Sequence, residues 1–155
     1  MLRTVVKEVK LYAENQIKHI KKQAKIGLAL SMEKDLNKLL EMIVDAARAM
    51  SNADAGTLYI LSKDKKRLSF QILQNETLKR RMKGIENFEK AMPDVPLYKV
   101  ERPNYSNVSS YVAITGKTIN IQDVYKANGF DFTGPRDYDA ATGYISKSML
   151  IPKES

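Results

Sequence analysis

The side chains that most often carry out chemistry in proteins are scarce in this chain. Cysteine is absent and His19 is the only histidine, so a disulfide framework, a thiolate nucleophile and a cysteine-ligated metal are excluded. A lone histidine on a lysine-rich segment cannot build a metal site or supply a Ser–His–Asp triad by itself. No G-x-S-x-G, phosphate-binding-loop or zinc motif occurs. The sequence therefore predicts a protein that is not an enzyme.

Three aspartates, Asp131, Asp137 and Asp139, lie close together in the last third of the chain. Carboxylate oxygens suit hard cations, but this spacing lacks the glycine and glutamate positions of an EF-hand loop. An ordinary solvated loop is the preferred interpretation, and no metal is expected.

Positive charge is concentrated at the start of the chain. The 155 residues carry a net charge of +8, of which residues 1–25 contribute +5 from seven basic and two acidic side chains. A basic segment of this kind can attract nucleic acid or an anionic membrane surface, but the solvated face of a helix explains it as well, and nucleic acid is an unlikely partner. No apolar run is long enough to span a bilayer, and charged residues interrupt any secretory signal. A cytoplasmic protein is expected.

A helix is predicted from Thr4 to about Leu30, because this stretch lacks proline and its apolar residues recur every three or four positions. The stripe is narrow, as in helices that pair with another helix, and this predicts a homodimer. Ser31 is then the predicted N-cap of a second amphipathic helix, from about Met32 to Met50. The stripe consists of Val6, Val9, Ala13, Ile17, Ile20, Ala24 and Leu28.

Strand signals follow these helices. The β-rich run Gly56–Leu61, a polar turn and the alternating run Leu68–Ile72 predict a β-hairpin. Most of residues 75–107 is interpreted as loop, with a weak helical stretch near residues 78–88. The remaining predicted elements are a helix over Val108–Thr115 ended by Gly116, a strand over residues 118–121, a helical turn capped by Asp123, a Gly/Pro/Asp-rich loop over Asn128–Asp139, and a final strand over residues 148–151.

Two segments resemble motifs of the GAF family of sensory domains. The segment Ala113–Tyr125 contains Thr115-Gly116, then Asn120-Ile121, Asp123 and Tyr125 in the family's order. The segment Thr142–Pro152 is similar to a second motif, which begins Thr-Gly-Tyr, and residues 53–59 resemble the usual start of the first strand. The resemblance covers roughly residues 32–152.

The resemblance implies an α+β fold in which an antiparallel sheet of about six strands is flanked by helices on one face and by a ligand cavity on the other. Residues 1–30 would form an N-terminal signalling and dimerisation helix, and residues 31–155 the GAF domain. Family members continue past the second motif with another strand and a helix. The resemblance therefore predicts a C-terminally incomplete domain, with the strand Gly56–Leu61 unpaired along one side.

The resemblance also implies a ligand site. In family members that bind cyclic nucleotides, the ligand is held by the short helix, by the strand and turn that follow it, and by the Asp-rich loop. No cofactor is certain, and a cyclic nucleotide is one candidate. N-capping is an alternative role for Asn107 and Ser109, and core packing for the aromatic residues. The matching positions are Asn107, Ser109, Tyr111, Thr115, Asp123, Tyr125, Phe130, Asp131, Asp139 and Thr142.

Three hypotheses remain open from the sequence. The first is a non-catalytic sensory module, in which ligand capture orders a lid over Asn128–Gly143 and a dimeric helix transmits the signal to an output domain. The second is a structural dimerisation unit without a ligand. The third is a binder of anionic surfaces or nucleic acid through Lys18–Lys25.

Overall fold

The computed structural model describes residues 2–83 and 93–153, and its first element is a long helix, α1 (Leu2–Met32). The absence of proline and the single Gly27 allow this uninterrupted run. The predicted stripe is exposed along it: Ile17 and Ile20, for example, expose 52% and 62% of their surface. The predicted N-terminal helix is confirmed, and its apolar seam is not covered by the described part of the chain.

The second helix, α2 (Leu36–Ser51), begins at a different cap from the predicted one. Asp35 has extended backbone geometry, and its Oδ1 accepts hydrogen bonds from the amides of Asn37 at 2.9 Å and Lys38 at 3.2 Å. Ser31 instead donates its hydroxyl to the carbonyl of Leu28 within α1. The predicted Ser31 cap is therefore wrong, because Asp35 satisfies the free amides of the first turn.

The main sheet is antiparallel and is built around its second strand. Strand β2 (Arg67–Asn75) pairs with β1 (Ala55–Leu61), with β3 (Arg80–Lys83) and with β4 (Val95–Pro96). The predicted hairpin is thus confirmed. Strand β1 lies at the end of the strand order, so its outer side has no strand partner among the described residues.

A β-bulge in β2 determines which side chains lie on each face of the main sheet, because it places Phe70 on the same face as Leu73. Leu58 pairs with Ile72 but Tyr59 pairs with Phe70, so Gln71 is an extra residue on β2. Because side chains alternate along a strand, one face, here called the first face, meets α2. The opposite face, here called the second face, carries Tyr59, Phe70, Leu73 and Met82.

The described parts of the long segment after β2 contain strands rather than a helix. Strand β3 occupies part of the predicted helical stretch near residues 78–88, and the rest of that stretch from residue 84 onward lies outside the described residues. Two two-residue strands, β5 (Tyr98–Lys99) and β6 (Arg102–Pro103), pair with each other. The helical prediction is therefore wrong over β3, where antiparallel pairing with β2 outweighs a weak local preference.

The last third of the chain contains two helices and a strand pair. Helix α3 (Val108–Thr115) ends at Gly116 with φ of 72°, as predicted. Strands β7 (Ile119–Ile121) and β8 (Met149–Ile151) are also near their predicted positions and pair with each other. Between them, helix α4 (Thr133–Thr142) occupies much of the predicted loop over Asn128–Asp139.

That loop prediction is wrong over the part occupied by α4, because Gly134 and Pro135 do not interrupt this helix. Both lie in the first turn of α4, where an amide has no partner within the helix and proline is tolerated. Asp131 supports the start by accepting a hydrogen bond from the amide of Thr133 at 2.9 Å.

The α+β architecture is confirmed, but its strands form separate units. In the described ranges, the main sheet has four strands, and β5–β6 and β7–β8 each form a two-stranded sheet. A second core forms beside β7 from Val108, Ile121, Val124 and Phe132. Among the described helices, none combines the length and apolarity needed to span a membrane.

Candidate functional site

Helices α3 and α4 each contact the second face of the main sheet through a side chain. Tyr59 packs on Phe70 with ring centroids 4.2 Å apart, and Tyr138 of α4 packs against Phe70 and Leu73. Burial, opposed by a hydrogen bond with Ser109, raises the pKa of Tyr59 from 10.0 to about 12. The predicted site residue Ser109 therefore lies against this face.

A second tyrosine, Tyr144, lies next to Tyr138 at the second face. The Tyr144 ring lies 6.4 Å from that of Tyr138, and its hydroxyl hydrogen-bonds Asp54. Burial first, and then the hydrogen bond to and the charge of Asp54, raise the pKa of Tyr144 to about 12. Both phenols are therefore neutral near pH 7 and can donate or accept hydrogen bonds.

Asp139 holds the segment after α4 in place. It is 5% exposed and accepts hydrogen bonds from the Tyr125 hydroxyl at 2.7 Å, from the Ser146 amide at 2.7 Å and from the Ser146 hydroxyl at 2.9 Å. The bond to Asp139 is the main cause that raises the pKa of Tyr125. Two predicted site residues, Asp139 and Tyr125, thus meet, but their polar atoms bind each other.

Two of the three predicted aromatic site residues, Tyr111 and Phe130, lie in a row of edge-to-face contacts. Tyr111 lies between Tyr105 and Phe130, with ring centroids 5.6 and 5.5 Å away, and Phe130 contacts Phe132 at 6.4 Å. Phe130 and Phe132 belong to the core beside β7. Their packing fits a structural role, which edge-to-face aromatic pairs commonly have.

The other predicted site residues bond their polar side chains to nearby backbone. Three act at the start of a helix or turn, as caps do, and two donate to the carbonyl four residues earlier within a helix. The accepting side chains are Asn107 Oδ1, from the Ser110 amide at 3.0 Å, Asp123 Oδ1, from the Tyr125 amide at 2.9 Å, and Asp131 Oδ1, from the Thr133 amide at 2.9 Å. The donating side chains are the hydroxyl of Thr115, to the Tyr111 carbonyl at 2.7 Å, and the hydroxyl of Thr142, to the Tyr138 carbonyl at 2.7 Å.

Two residues at the second face were missed by the sequence interpretation. Asn75 is 2% exposed, and its Oδ1 accepts from the Leu78 amide at 2.8 Å. Within the described ranges, Asn75 Nδ2 and Tyr138 Oη are buried and have no hydrogen-bond partner. Nothing in their local sequence marks them, because an asparagine before a turn and a tyrosine on a helix are both common. Only tertiary burial distinguishes them.

Two cavities of about 500 and 150 Å³ lie beside α2 and β3. The larger cavity is lined mainly by charged residues, and both cavities are bordered by the ion pair between Lys83 and Glu41 at 3.0 Å. None of the ten predicted ligand residues lines either cavity. In the part of the chain that the structure describes, no group of three or more histidine, aspartate or glutamate side chains is placed to hold a metal ion.

Comparison with known proteins gives a likeness of fold. No family model and no curated protein sequence matches the chain. Solved structures do match, among them a crystal structure of residues 122 to 287 of a methyl-accepting chemotaxis protein. That fragment aligns with a TM-score of 0.52 and 18% sequence identity, over 83% of this chain and 70% of that chain. The chain therefore shares its fold with a fragment of a chemotaxis protein.

Proposed function

We propose that this chain is a cytoplasmic, non-catalytic sensory module of the GAF type. It binds a small molecule between the second face of the main sheet and helices α3 and α4. Occupancy then changes how α1 packs against the α1 of a second copy, and an output domain of the parent protein responds. The observation that carries the proposal is the shared fold with the chemotaxis-protein fragment.

The second face supports the location of the ligand. It combines apolar walls with neutral phenols, and small-molecule sites are usually apolar surfaces with a few placed polar groups. Ser109 of α3 and Tyr138 of α4 both contact this face. A ligand there would touch the sheet and both helices, so its binding would couple these elements.

Helix α1 supports the route of the signal. Its apolar stripe is exposed along several turns, and an exposed narrow seam on a long helix is typical of a helix that pairs with a partner. Because α1 leads into α2 through only three residues, 33–35, a change at α2 can alter the packing of α1.

The alternative of a structural dimerisation unit also has support. Eight of the ten predicted ligand residues use their polar side-chain atoms in hydrogen bonds within the protein, and the two cavities lie away from them. Under this alternative, the second face is permanently filled by side chains and α1 alone carries the function.

Hydrogen exchange of the full chain with a panel of small molecules tests the proposal. The panel includes cyclic AMP, cyclic GMP and small organic acids at millimolar concentration. A bound ligand is expected to protect α3, α4 and β2, and Ser109→Ala is expected to weaken the protection. Ser31→Ala is the matched control, because Ser31 bonds only within α1.

If no member of the panel protects α3 and α4, the structural dimerisation unit becomes the better account. Protection confined to Lys18–Lys25 would instead indicate a non-specific contact between anions and the basic part of α1.

A further inference from the structure

Two unpartnered polar atoms lie on the same side of the main sheet. Asn75 follows Leu73 by two positions on β2, so strand alternation places it on the second face. Tyr138 packs against Leu73 and Phe70 on that face. Buried polar atoms are nearly always hydrogen-bonded in folded proteins. Among the described residues, Asn75 Nδ2 and Tyr138 Oη have no hydrogen-bond partner, and a bound molecule could supply one.

A positive charge borders these atoms. Arg80 of β3 pairs directly with Asn75 in the sheet register, and cross-strand partners project on the same face. Its side chain is exposed. The ion pairs formed by the described residues leave Arg80 without a carboxylate partner, whereas its neighbour Arg81 pairs with Asp45 at 3.1 Å on the first face.

The acidic side chains near this face are already engaged. Asp54 accepts a hydrogen bond from the Thr77 hydroxyl at 3.0 Å and bonds Tyr144. Asp139 accepts three hydrogen bonds. The groups that remain available to a ligand are therefore the side-chain amide donor of Asn75, the phenol of Tyr138 and the guanidinium of Arg80. They lie next to an apolar surface formed by Phe70, Leu73 and Met82.

We propose that the ligand of this site is a small carboxylic acid with an apolar or aromatic body, and that Asn75 and Tyr138 are its specificity-determining residues. This inference rests on the proposed function. The carboxylate accepts from Asn75 Nδ2 and Tyr138 Oη, with Arg80 at the rim, and the apolar body packs on Phe70 and Leu73. Because Tyr138 and Tyr144 close the face, α4 moves outward when the acid enters, and the body must be small.

Calorimetric titration of the full chain with benzoate and hexanoate tests the ligand class, and benzyl alcohol serves as the neutral comparison. The two carboxylates are expected to bind in the millimolar range or tighter, and benzyl alcohol at least about tenfold more weakly. A hydrogen bond to a charged group is worth roughly this factor, since tenfold in affinity corresponds to about 1.4 kcal/mol.

Three variants test the assigned residues. Tyr138→Phe removes only the unpartnered hydroxyl, so the fold should be at least as stable while benzoate binds about tenfold more weakly. Asn75→Asp keeps the oxygen that accepts from the Leu78 amide but replaces the Nδ2 donor by a second carboxylate oxygen. Because this oxygen repels the carboxylate of benzoate, benzoate binding should be lost. Arg80→Gln should weaken binding and reduce its salt dependence. Arg81→Gln, on the same strand but facing α2, is the matched control and should bind benzoate as the wild type does.

Several results would overturn this inference. Absence of benzoate and hexanoate binding at millimolar concentration would mean that water satisfies the two buried atoms. Equal binding of benzyl alcohol, or unchanged benzoate binding in Tyr138→Phe, would reject the carboxylate assignment. The proposed function would survive these results if another panel compound still protected α3 and α4 in hydrogen exchange, so the two failures are distinguishable.

Discussion

Gly56 of β1 lies where side chains of α2 pack closely against the main sheet. A Cβ atom at this position would lie 2.7 Å from Val44 Cγ1 and 2.9 Å from Arg48 Cγ. Arg48 cannot easily withdraw, because its guanidinium donates to Gln74 at 3.0 Å and pairs with Glu76 at 3.6 Å. Glycine is therefore required by packing, although its φ is not in the left-handed region.

Gly56→Ala is expected to lower the free energy of unfolding by about 1–3 kcal/mol, the usual cost of overpacking a core. Urea denaturation measures this change. Gly27→Ala is the control, because a Cβ there meets nothing within 4 Å and alanine favours a helix by up to about 1 kcal/mol. Equal stability of the wild type and Gly56→Ala would show that α2 can move away from β1.

Tyr59 and Tyr144 make the fold sensitive to alkaline pH. Their pKa values rise from 10.0 to about 12 in the folded chain, so the folded state holds these protons more tightly than the unfolded state. Their contribution to stability is complete below pH 10 and is lost as the pH rises towards 12. In urea denaturation, the midpoint should therefore fall less steeply between pH 10 and pH 12 in Tyr59→Phe and in Tyr144→Phe than in the wild type.

A fall in stability that is as steep in both variants as in the wild type would assign the alkaline transition to other groups.

Residue-scale predictions from sequence succeeded where the chemistry is local. Asn107 was given N-capping as an alternative role to ligand binding, and its side chain accepts from the Ser110 amide, as a cap does. The buried bonds of Asp139 depend instead on Ser146 and Tyr125, which only the tertiary fold brings to it. The unpartnered atoms of Asn75 and Tyr138 likewise exist only because the whole fold buries them.

At the scale of elements, two residues can be compared as the N-cap of α2: Asp35, which the structure shows in that role, and Ser31, which the sequence predicted. Asp35→Ala should lower the free energy of unfolding by about 1 kcal/mol, because it removes the acceptor for the amides of Asn37 and Lys38. Thermal or urea denaturation measures this effect. Ser31→Ala should change stability little, since its hydroxyl bonds a carbonyl inside α1. If Ser31→Ala lowered the free energy of unfolding more than Asp35→Ala does, Ser31 would be the N-cap, as the sequence predicted.

Elements with strong periodic patterns could be predicted, and those that depend on distant partners could not. Helix α1, the β1–β2 hairpin and α3 with its terminal Gly116 follow from apolar spacing and glycine placement. Helix α4 was missed because glycine and proline at positions 134 and 135 are typical of a loop unless they fall in the first turn of a helix, as they do here. The short, charged strand β3 has almost no pattern of its own and is defined by its pairing with β2.

At the scale of the molecule, the described chain combines a packed α+β unit with an exposed leading helix. Many of the buried apolar residues of this unit form two clusters, one at the second face and one beside β7. Helix α1 has no comparable burial, although its stripe is apolar. Such a large apolar surface on a helix is usually covered by a partner. The basic residues on the rest of α1 keep the exposed side solvated.

A second copy of α1 in parallel register is the expected partner, because identical stripes then meet along their whole length. Ile17→Lys together with Ile20→Lys should convert the protein from dimer to monomer in analytical ultracentrifugation, because buried lysines in the seam repel each other and lose solvation. Lys18→Gln together with Lys22→Gln changes charge on the other side of the helix and should leave the dimer intact. A dimer that persists in the isoleucine variant would place the interface outside α1, and a wild-type chain that sediments as a monomer would remove the proposed route from ligand to output.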